Sequence, residues 1–201
     1  MTVPTISPPA AYRFAVPPEP VLPLTIDQYH AMIHAGILES GSPIELLEGW
    51  LVTKMTKSPR HRAATRKTRI ALERVTPKQW SVDVQEAITT GSSEPEPDVS
   101  IVRGDTADLL DRHPGPDEIG LLVEVADTSL DRDRGWKKRI YASAGIPVYW
   151  IVNLVDGCVE VYTQPERSDY AQRHAFQPGD SIPVILDGKE IGQVAADDLL
   201  P

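Results

Sequence analysis

The sequence predicts an α/β protein with a central mixed β-sheet flanked by helices. Strand-like segments at 80–88, 98–103 and 121–126, a hairpin over 147–163, and helical stretches before and between them predict it. The chain has 201 residues and a mass of 22.1 kDa, enough for one domain with a substantial core and too little for two large ones. Hydrophobic residues make up 41% and charged ones 24%, the balance of a globular chain. The single cysteine, Cys158, excludes an internal disulfide framework and a cysteine-based zinc cluster. No apolar run approaches the ~18 residues that cross a bilayer, and no secretory signal is visible. A cytoplasmic protein without a membrane partner is expected.

Residues 1–23 hold seven of the 19 prolines, a residue type present at about twice its usual share of roughly 5%. Proline lacks the backbone donor and biases its predecessor to extended angles. This stretch therefore reads as an extended arm, and 24–201 as the domain. Thr25 and Gln28 make a capping box for a helix carrying Tyr29, Met32 and Ile33, closed by Gly36. His30 and His34 lie four apart on it. With no third ligand and no His-Glu-x-x-His pattern, they read as surface histidines. Residues 44–55 read as two short strands about a turn at Glu48-Gly49, with a helix capped by Ser42 as the competing reading. A basic helix spans about 60–75. Ala64, Thr68, Ala71, Leu72 and Val75 form its inner stripe, Arg62, Arg66 and Arg69 share another face, and Pro77 ends it. Strand 80–88 alternates, 98–103 is β-branched, 121–126 is an apolar run, and a helix over 135–144 follows. Residues 147–153 and 158–163 pair through Asp156-Gly157, and the turn residues within 170–200 mark short strands that finish the sheet.

Two carboxylates look out of place in this frame. Glu124 interrupts Leu121-Leu122-Val123-Glu124-Val125-Ala126, where alternation sets Leu122, Glu124 and Ala126 on one face and Leu121, Val123 and Val125 on the other. A buried carboxylate costs several kcal/mol unless it is paired, protonated or bound to a metal, so Glu124 calls for a partner. A salt bridge from a neighbouring helix would answer that, and so would a site. Asp98 opens the preceding strand after Glu94-Pro95-Glu96-Pro97, and Pro97 fixes the angle at which it enters the sheet. Adjacent strands delivering Asp98 and Glu124 to one spot would make a hard-oxygen site suited to Mg²⁺ or Mn²⁺. Lys137 and Tyr141 share a face of the following helix. A lysine there can position or help deprotonate a metal-bound water and stabilise a transferring phosphate; the plain alternative is an exposed lysine on an amphipathic helix.

Taken together, these motifs make the chain resemble the Uma-type, restriction-endonuclease-like family of the PD-(D/E)XK nuclease superfamily. The resemblance runs over about 24–200. It rests on Ile44-Glu-Leu-Leu-Glu-Gly49, Glu94-Pro-Glu-Pro-Asp-Val99, Leu122-Val-Glu-Val-Ala126, Asp133-Arg-Gly-Trp-Lys137, Tyr141-Ala-Ser-Ala-Gly-Ile-Pro147 and Tyr149-Trp-Ile-Val-Asn153. It implies a restriction-endonuclease-like fold and a metal-dependent phosphodiesterase site. Asp98 would be the Asp of the Pro-Asp motif and Glu124 the acid of the D/E-x-K motif, together holding Mg²⁺ or Mn²⁺. Glu45 would be the additional glutamate of an early element. The chain departs from the motif at Ala126, where a lysine is expected two residues after the acid; Lys137 would replace it from the helix. Gln85, on the strand before Asp98, would line the site. The Lys137-x-x-x-Tyr141 pair resembles the helical Gln-x-x-x-Tyr element of some relatives, so Tyr141 either orients a nucleic-acid backbone contact or packs the helix onto the sheet.

The formal charge of −9 argues against a protein that coats nucleic acid by bulk charge, yet its distribution is uneven. Between Lys54 and Lys78 nine Lys or Arg accompany one acid, Glu73, a local charge of +8 that leaves −17 for the rest. Arg62, Arg66 and Arg69 would then track a phosphate backbone. The expected activity is Mg²⁺- or Mn²⁺-dependent endonucleolytic hydrolysis of DNA rather than RNA. The competing reading, motivated by Ala126 and the displaced lysine, is an inactive nucleic-acid-binding or interaction module that keeps the fold. A homo-oligomer or scaffold with the proline arm docked on a neighbour is a third.

Overall fold

The computed structural model describes residues 20–39, 41–104 and 106–201, so most of the proline-rich arm lies outside the described residues. Helix α1, Ile26–His34, starts on the expected capping box. The Thr25 hydroxyl accepts from the Gln28 N–H at 3.2 Å, and Gln28 Oε1 accepts from the Thr25 N–H at 2.9 Å. Strands β1, Ile44–Leu47, and β2, Trp50–Thr53, form a hairpin, which settles the choice against a helix. Its turn residues Glu48 and Gly49 have φ of 47° and 81°, the left-handed pair that matches strand twist. Gly49 has a second reason to lack a side chain: a Cβ there would lie 2.4 Å from Pro23 Cβ.

Helix α2, Pro59–Glu73, is capped by Ser58, whose side chain accepts from the His61 N–H at 3.1 Å, with Pro59 at the first helical position. Its buried stripe is His61, Ala64, Thr65, Thr68, Ala71 and Leu72, while Val75 is only half-buried just beyond the helix. Strand β3, Trp80–Asp83, stops short of the expected residue 88, because Gln85 turns left-handed at φ 58° and leaves the sheet. Strands β4, Val99–Arg103, and β5, Ile119–Ala126, follow, and every residue of β5 is buried.

The helix expected at 135–144 begins earlier. Its first part, α3 (Leu130–Arg132), passes through a π-helical turn, Asp133–Lys137, into α4, Lys138–Ser143. Gly135 sits inside the π turn rather than at a helix start. Strands β6, Val148–Asn153, and β7, Cys158–Glu166, make the expected hairpin, with Asn153 Oδ1 accepting the Val155 and Asp156 N–H groups at 3.0 Å. Strand β8, Asp169–Phe176, completes a six-stranded sheet of order β3-β4-β5-β6-β7-β8, in which β5 and β6 are parallel and all other neighbours antiparallel. Strands β9, Ser181–Leu186, and β10, Lys189–Ala195, do not extend that sheet as expected. They pair with each other and lay Ile182, Val184, Leu186 and Val194 on the core.

Two apolar layers sandwich the sheet, giving the mixed α/β class. Val99, Ile101, Leu121, Val123 and Val125 pack with α2, and Leu122, Ala126, Tyr149 and Ile151 with α4. The two faces of β5 thus divide as its alternation predicts. Among the described residues no helix is long and apolar enough to cross a membrane.

At the β4–β5 register shift, Gly120 is the residue left without a partner between Leu121, opposite Ile101, and Ile119, opposite Val102. A Cβ on Gly120 would meet Leu186 Cδ2 at 2.6 Å and the Trp80 ring at 2.8 Å. Overpacking of this kind costs about 1–3 kcal/mol. Gly120→Ala should therefore lower the urea midpoint with an unchanged slope, measured by equilibrium denaturation.

Candidate active site

The β4–β5 pairing places the candidate acids. Val99 lies opposite Val123, so Asp98 and Glu124 flank the same end of that pairing. The segment leading to Asp98 is held in place before it enters the sheet. The Glu94 N–H donates to Leu46 O at 2.7 Å, and the Glu96 N–H donates to Glu45 Oε2 at 3.3 Å. Lys54 and Glu96 form an ion pair across the same gap.

Asp98 is buried, and its Oδ2 accepts from the Val125 N–H and from His61 Nε2, each at 2.9 Å. Burial pushes the Asp98 carboxyl up. The hydrogen bond and charge of His61, the Val125 N–H and the Lys137 charge outweigh this and hold it below its ordinary value. An ionised carboxylate accepts only, so His61 Nε2 carries the proton of that hydrogen bond.

Glu124 is buried on the opposite face of β5 from α2. Its Oε1 accepts from Lys137 Nζ at 2.8 Å and from the Tyr141 hydroxyl at 2.6 Å. Lys137 Nζ also stands 3.3 Å from Glu45 Oε2, with Arg132 3.8 Å from the other Glu45 oxygen. Asp133, one helical turn before Lys137, is buried and accepts from the Ser129 hydroxyl at 2.5 Å. One buried ammonium therefore faces the carboxylates of Glu45, Glu124 and Asp133.

Their titration follows from that imbalance. Burial raises Glu124 to about 8, with the Asp133 and Asp98 charges adding to it and Lys137 opposing. Burial likewise raises Asp133 to about 6, opposed by Lys137 and the Ser129 hydrogen bond. Burial favours loss of the Lys137 proton, but Glu124, Glu45 and Asp133 outweigh it, so the ammonium is held more firmly than an ordinary lysine.

These groups line a cavity of about 50 Å³ that Asp98, Glu124, Glu45, Lys137, Asp133 and His61 share. It has room for about three water-sized bodies. Asp98 Oδ1 and Glu124 Oε2 have no hydrogen-bond partner among the described residues, and Lys57 Nζ stands 4.0 Å from Asp98 Oδ1. Two hard oxygens without donors, in a pocket with more carboxylates than cations, suit Mg²⁺ or Mn²⁺. Such ions commonly take one or two protein carboxylates and fill the remaining positions with water or phosphate oxygens.

The structure thus brings together Asp98, Glu124, Glu45 and Lys137. Gln85 lies elsewhere, in a separate, more open groove of about 790 Å³ that Arg62 and Arg66 also line. Lys57 borders both spaces, so the groove opens beside the pocket. Arg69 does not line this groove and stands 3.6 Å from Glu73 instead. Tyr141 is fully buried against Glu124 and offers a nucleic acid no surface; of its two expected roles, packing is the one this position allows. His61 and Asp133 were not singled out from the sequence. His61 had a detectable signal, since it continues the 64, 65, 68 stripe as a polar residue on an otherwise inward face.

Comparison with known proteins bears on the family and the fold. The model of the Uma2 family, described as "Putative restriction endonuclease", matches residues 26–191. Among solved structures, the crystal structure of a putative nuclease belonging to DUF820 from Anabaena variabilis superposes with a TM-score of 0.67 at 17% identity. The match covers 88% of this chain and 97% of that one. No curated protein matches the chain.

A group whose folded-state pKa is raised stabilises the fold at low pH and loses that contribution as pH rises through the folded value. For Glu124 the window runs from 4.5 to about 8, and for Asp133 from 3.8 to about 6. Asp98 has the opposite sign, contributing above 3.8 and losing its contribution as pH falls through its depressed value. In metal-free protein, Glu124→Gln should therefore flatten the fall in stability that accompanies rising pH up to about 8. Urea midpoints measured across that range check it.

Proposed function

This chain belongs to the Uma2 family, and from that premise we propose that it is a nuclease hydrolysing DNA phosphodiester bonds with Mg²⁺ or Mn²⁺ held by Asp98 and Glu124. The observation that carries the reading is the pair of donor-free oxygens, Asp98 Oδ1 and Glu124 Oε2, in one pocket beside the Lys137 ammonium. A bound divalent ion supplies Lewis-acid polarisation of the phosphate and an acidified water.

The chain's own groups do the rest. His61 and the Val125 N–H occupy Asp98 Oδ2, which fixes the carboxylate plane and leaves Oδ1 for the ion. Lys137, held as a cation by its carboxylate neighbours, acts as a donor that stabilises charge on the phosphate rather than as a base. Asp133, whose carboxyl burial raises, lines the same cavity and would receive the proton of the attacking water. Glu45 and Tyr141 hold Lys137 and Glu124 in register.

Substrate enters through the neighbouring groove. Arg62 and Arg66 are exposed along α2, and Lys57 stands between groove and pocket. Lys67 is committed elsewhere, donating to the Asp197 and Leu200 carbonyls. Against the competing reading of an inactive module, which rests on Ala126 and the displaced lysine, stands the Lys137 ammonium 2.8 Å from Glu124.

Cleavage of single- and double-stranded DNA with Mg²⁺ or Mn²⁺ tests the proposal. Asp98→Asn and Glu124→Gln should reduce turnover to background, and Lys137→Met should cost about 10²–10³-fold, the usual loss for a transition-state charge donor. Equal cleavage by wild type and all three variants would overturn the assignment. Arg62→Ala with Arg66→Ala should weaken DNA binding across sequences and flatten its salt dependence by about two units on a log–log plot. Fluorescence titrations at several salt concentrations measure that.

A further inference from the structure

A cluster of side chains with metal-ligating atoms lies outside the pocket. His30 of α1 does not pair with His34, which is exposed. Its Nε2 lies 2.8 and 3.0 Å from the two oxygens of Glu94, in the segment before β4. His113, in the loop before β5, brings its Nε2 to 3.8 Å from Glu94 Oε1. The three ligand atoms fall within 4.8 Å of one another.

We propose that His30, Glu94 and His113 form a Zn²⁺ site tying α1 and the loop before β5 to the segment that carries Asp98. Metal–ligand bonds of 2.0–2.1 Å in tetrahedral geometry put donor atoms about 3.4 Å apart. The observed separations bracket that spacing, so small side-chain shifts admit the ion. Two imidazoles and one carboxylate are a zinc-type donor set, unlike the oxygens of Asp98 and Glu124, which suit Mg²⁺. The Glu94 side chain is 4% exposed, whereas those of His30 and His113 are 38% and 42% exposed. The carboxylate thus anchors the site from inside, and the fourth position faces water.

The surroundings are organised around these ligands. The Thr89 hydroxyl donates to Glu94 Oε2 at 3.2 Å. The Thr89 N–H donates to Pro114 O at 3.0 Å, which fixes the residue after His113. Arg112, on the other side, donates to the His113 carbonyl and to both Glu118 oxygens. Outer contacts of this kind orient metal ligands before the metal arrives. Glu94 stands four residues before Asp98 and bonds to β1 through its N–H, so the tie acts on the segment that delivers the catalytic acid.

The test is calorimetric titration of the full chain, stripped by chelator, with Zn²⁺ in excess Mg²⁺. The expected result is one equivalent bound, unchanged in Asp98→Asn. Removing a ligand should cost more than the roughly 10–100-fold lost with an outer partner. His30→Ala and His113→Ala should therefore each weaken binding by at least about 100-fold. Zn²⁺ should also raise the unfolding temperature of the wild type but not of His113→Ala, whose exposed side chain can be removed without opening the core. Absence of Zn²⁺ binding, or binding that survives both histidine substitutions together, would overturn the proposal. So would binding abolished by Asp98→Asn, since the ion would then sit in the catalytic pocket.

Discussion

A single buried ammonium governs this structure. Lys137 contacts Glu124 on β5 and Glu45 on β1 and lies within the field of Asp133 on its own helix, so three parts of the fold meet on one charge. Desolvating so many carboxylates is unfavourable, and the ion pairs recover the cost only with close geometry and filled lone pairs. Tyr141, Arg132, Ser129 and the Glu96 N–H fill most of them. The lone pairs left over include those of Asp98 Oδ1, Glu124 Oε2 and Asp133 Oδ1, where charge balance still asks for a cation.

The helix is shaped by the same requirement. Asp133, Lys137 and Tyr141 are spaced by four, and in an α-helix each such step overshoots a full turn by about 40°. Two steps would carry Asp133 well around the helix from Tyr141. The π-helical turn over Asp133–Lys137 winds more slowly and brings Asp133 and Lys137 inward together with Tyr141. Helix α2 shows the opposite economy. Its ordinary periodicity puts His61 on the buried stripe, where it holds Asp98, and Arg62 on the exposed side, facing the groove. Adjacent residues of one helix thus serve the buried Asp98 carboxylate and the open basic groove. The net charge of −9 averages a basic stretch of +8 over 54–78 with −17 over the rest of the chain.

What could be read in the sequence was whatever leaves a local mark. A carboxylate in an apolar strand marks Glu124, Pro97 marks the entry of Asp98, and a Glu-Gly dipeptide between short apolar runs marks the β1–β2 turn. Features decided by distant partners left no such mark. Gln85 takes a left-handed conformation without being glycine, with its N–H donating to Asp98 O, and nothing nearby announces it. Gly135 resembled a helix boundary because glycine is a poor helix former, but within a π turn it breaks nothing. Strands β9 and β10 carry ordinary hairpin signals, and only packing against Val75 and Trp80 decides that they form a separate layer. His30 lacked a third ligand because its partners lie far along the chain.

The displaced lysine shows why motif spacing is weaker evidence than site geometry. Residues two apart on a strand lie on the same face, so a lysine at 126 would project beside Glu124. In this chain position 126 is a fully buried alanine packed among Leu122, Ile140 and Tyr149, with no room for a long side chain. Lys137 approaches Glu124 from the helix that covers that face and places its ammonium at the same carboxylate. What the proposed chemistry would need is a cation against the acid, in a partly enclosed pocket, held by groups that cannot move away. Either a strand or a helix can deliver it, provided the carboxylates around it are deep enough to keep it charged.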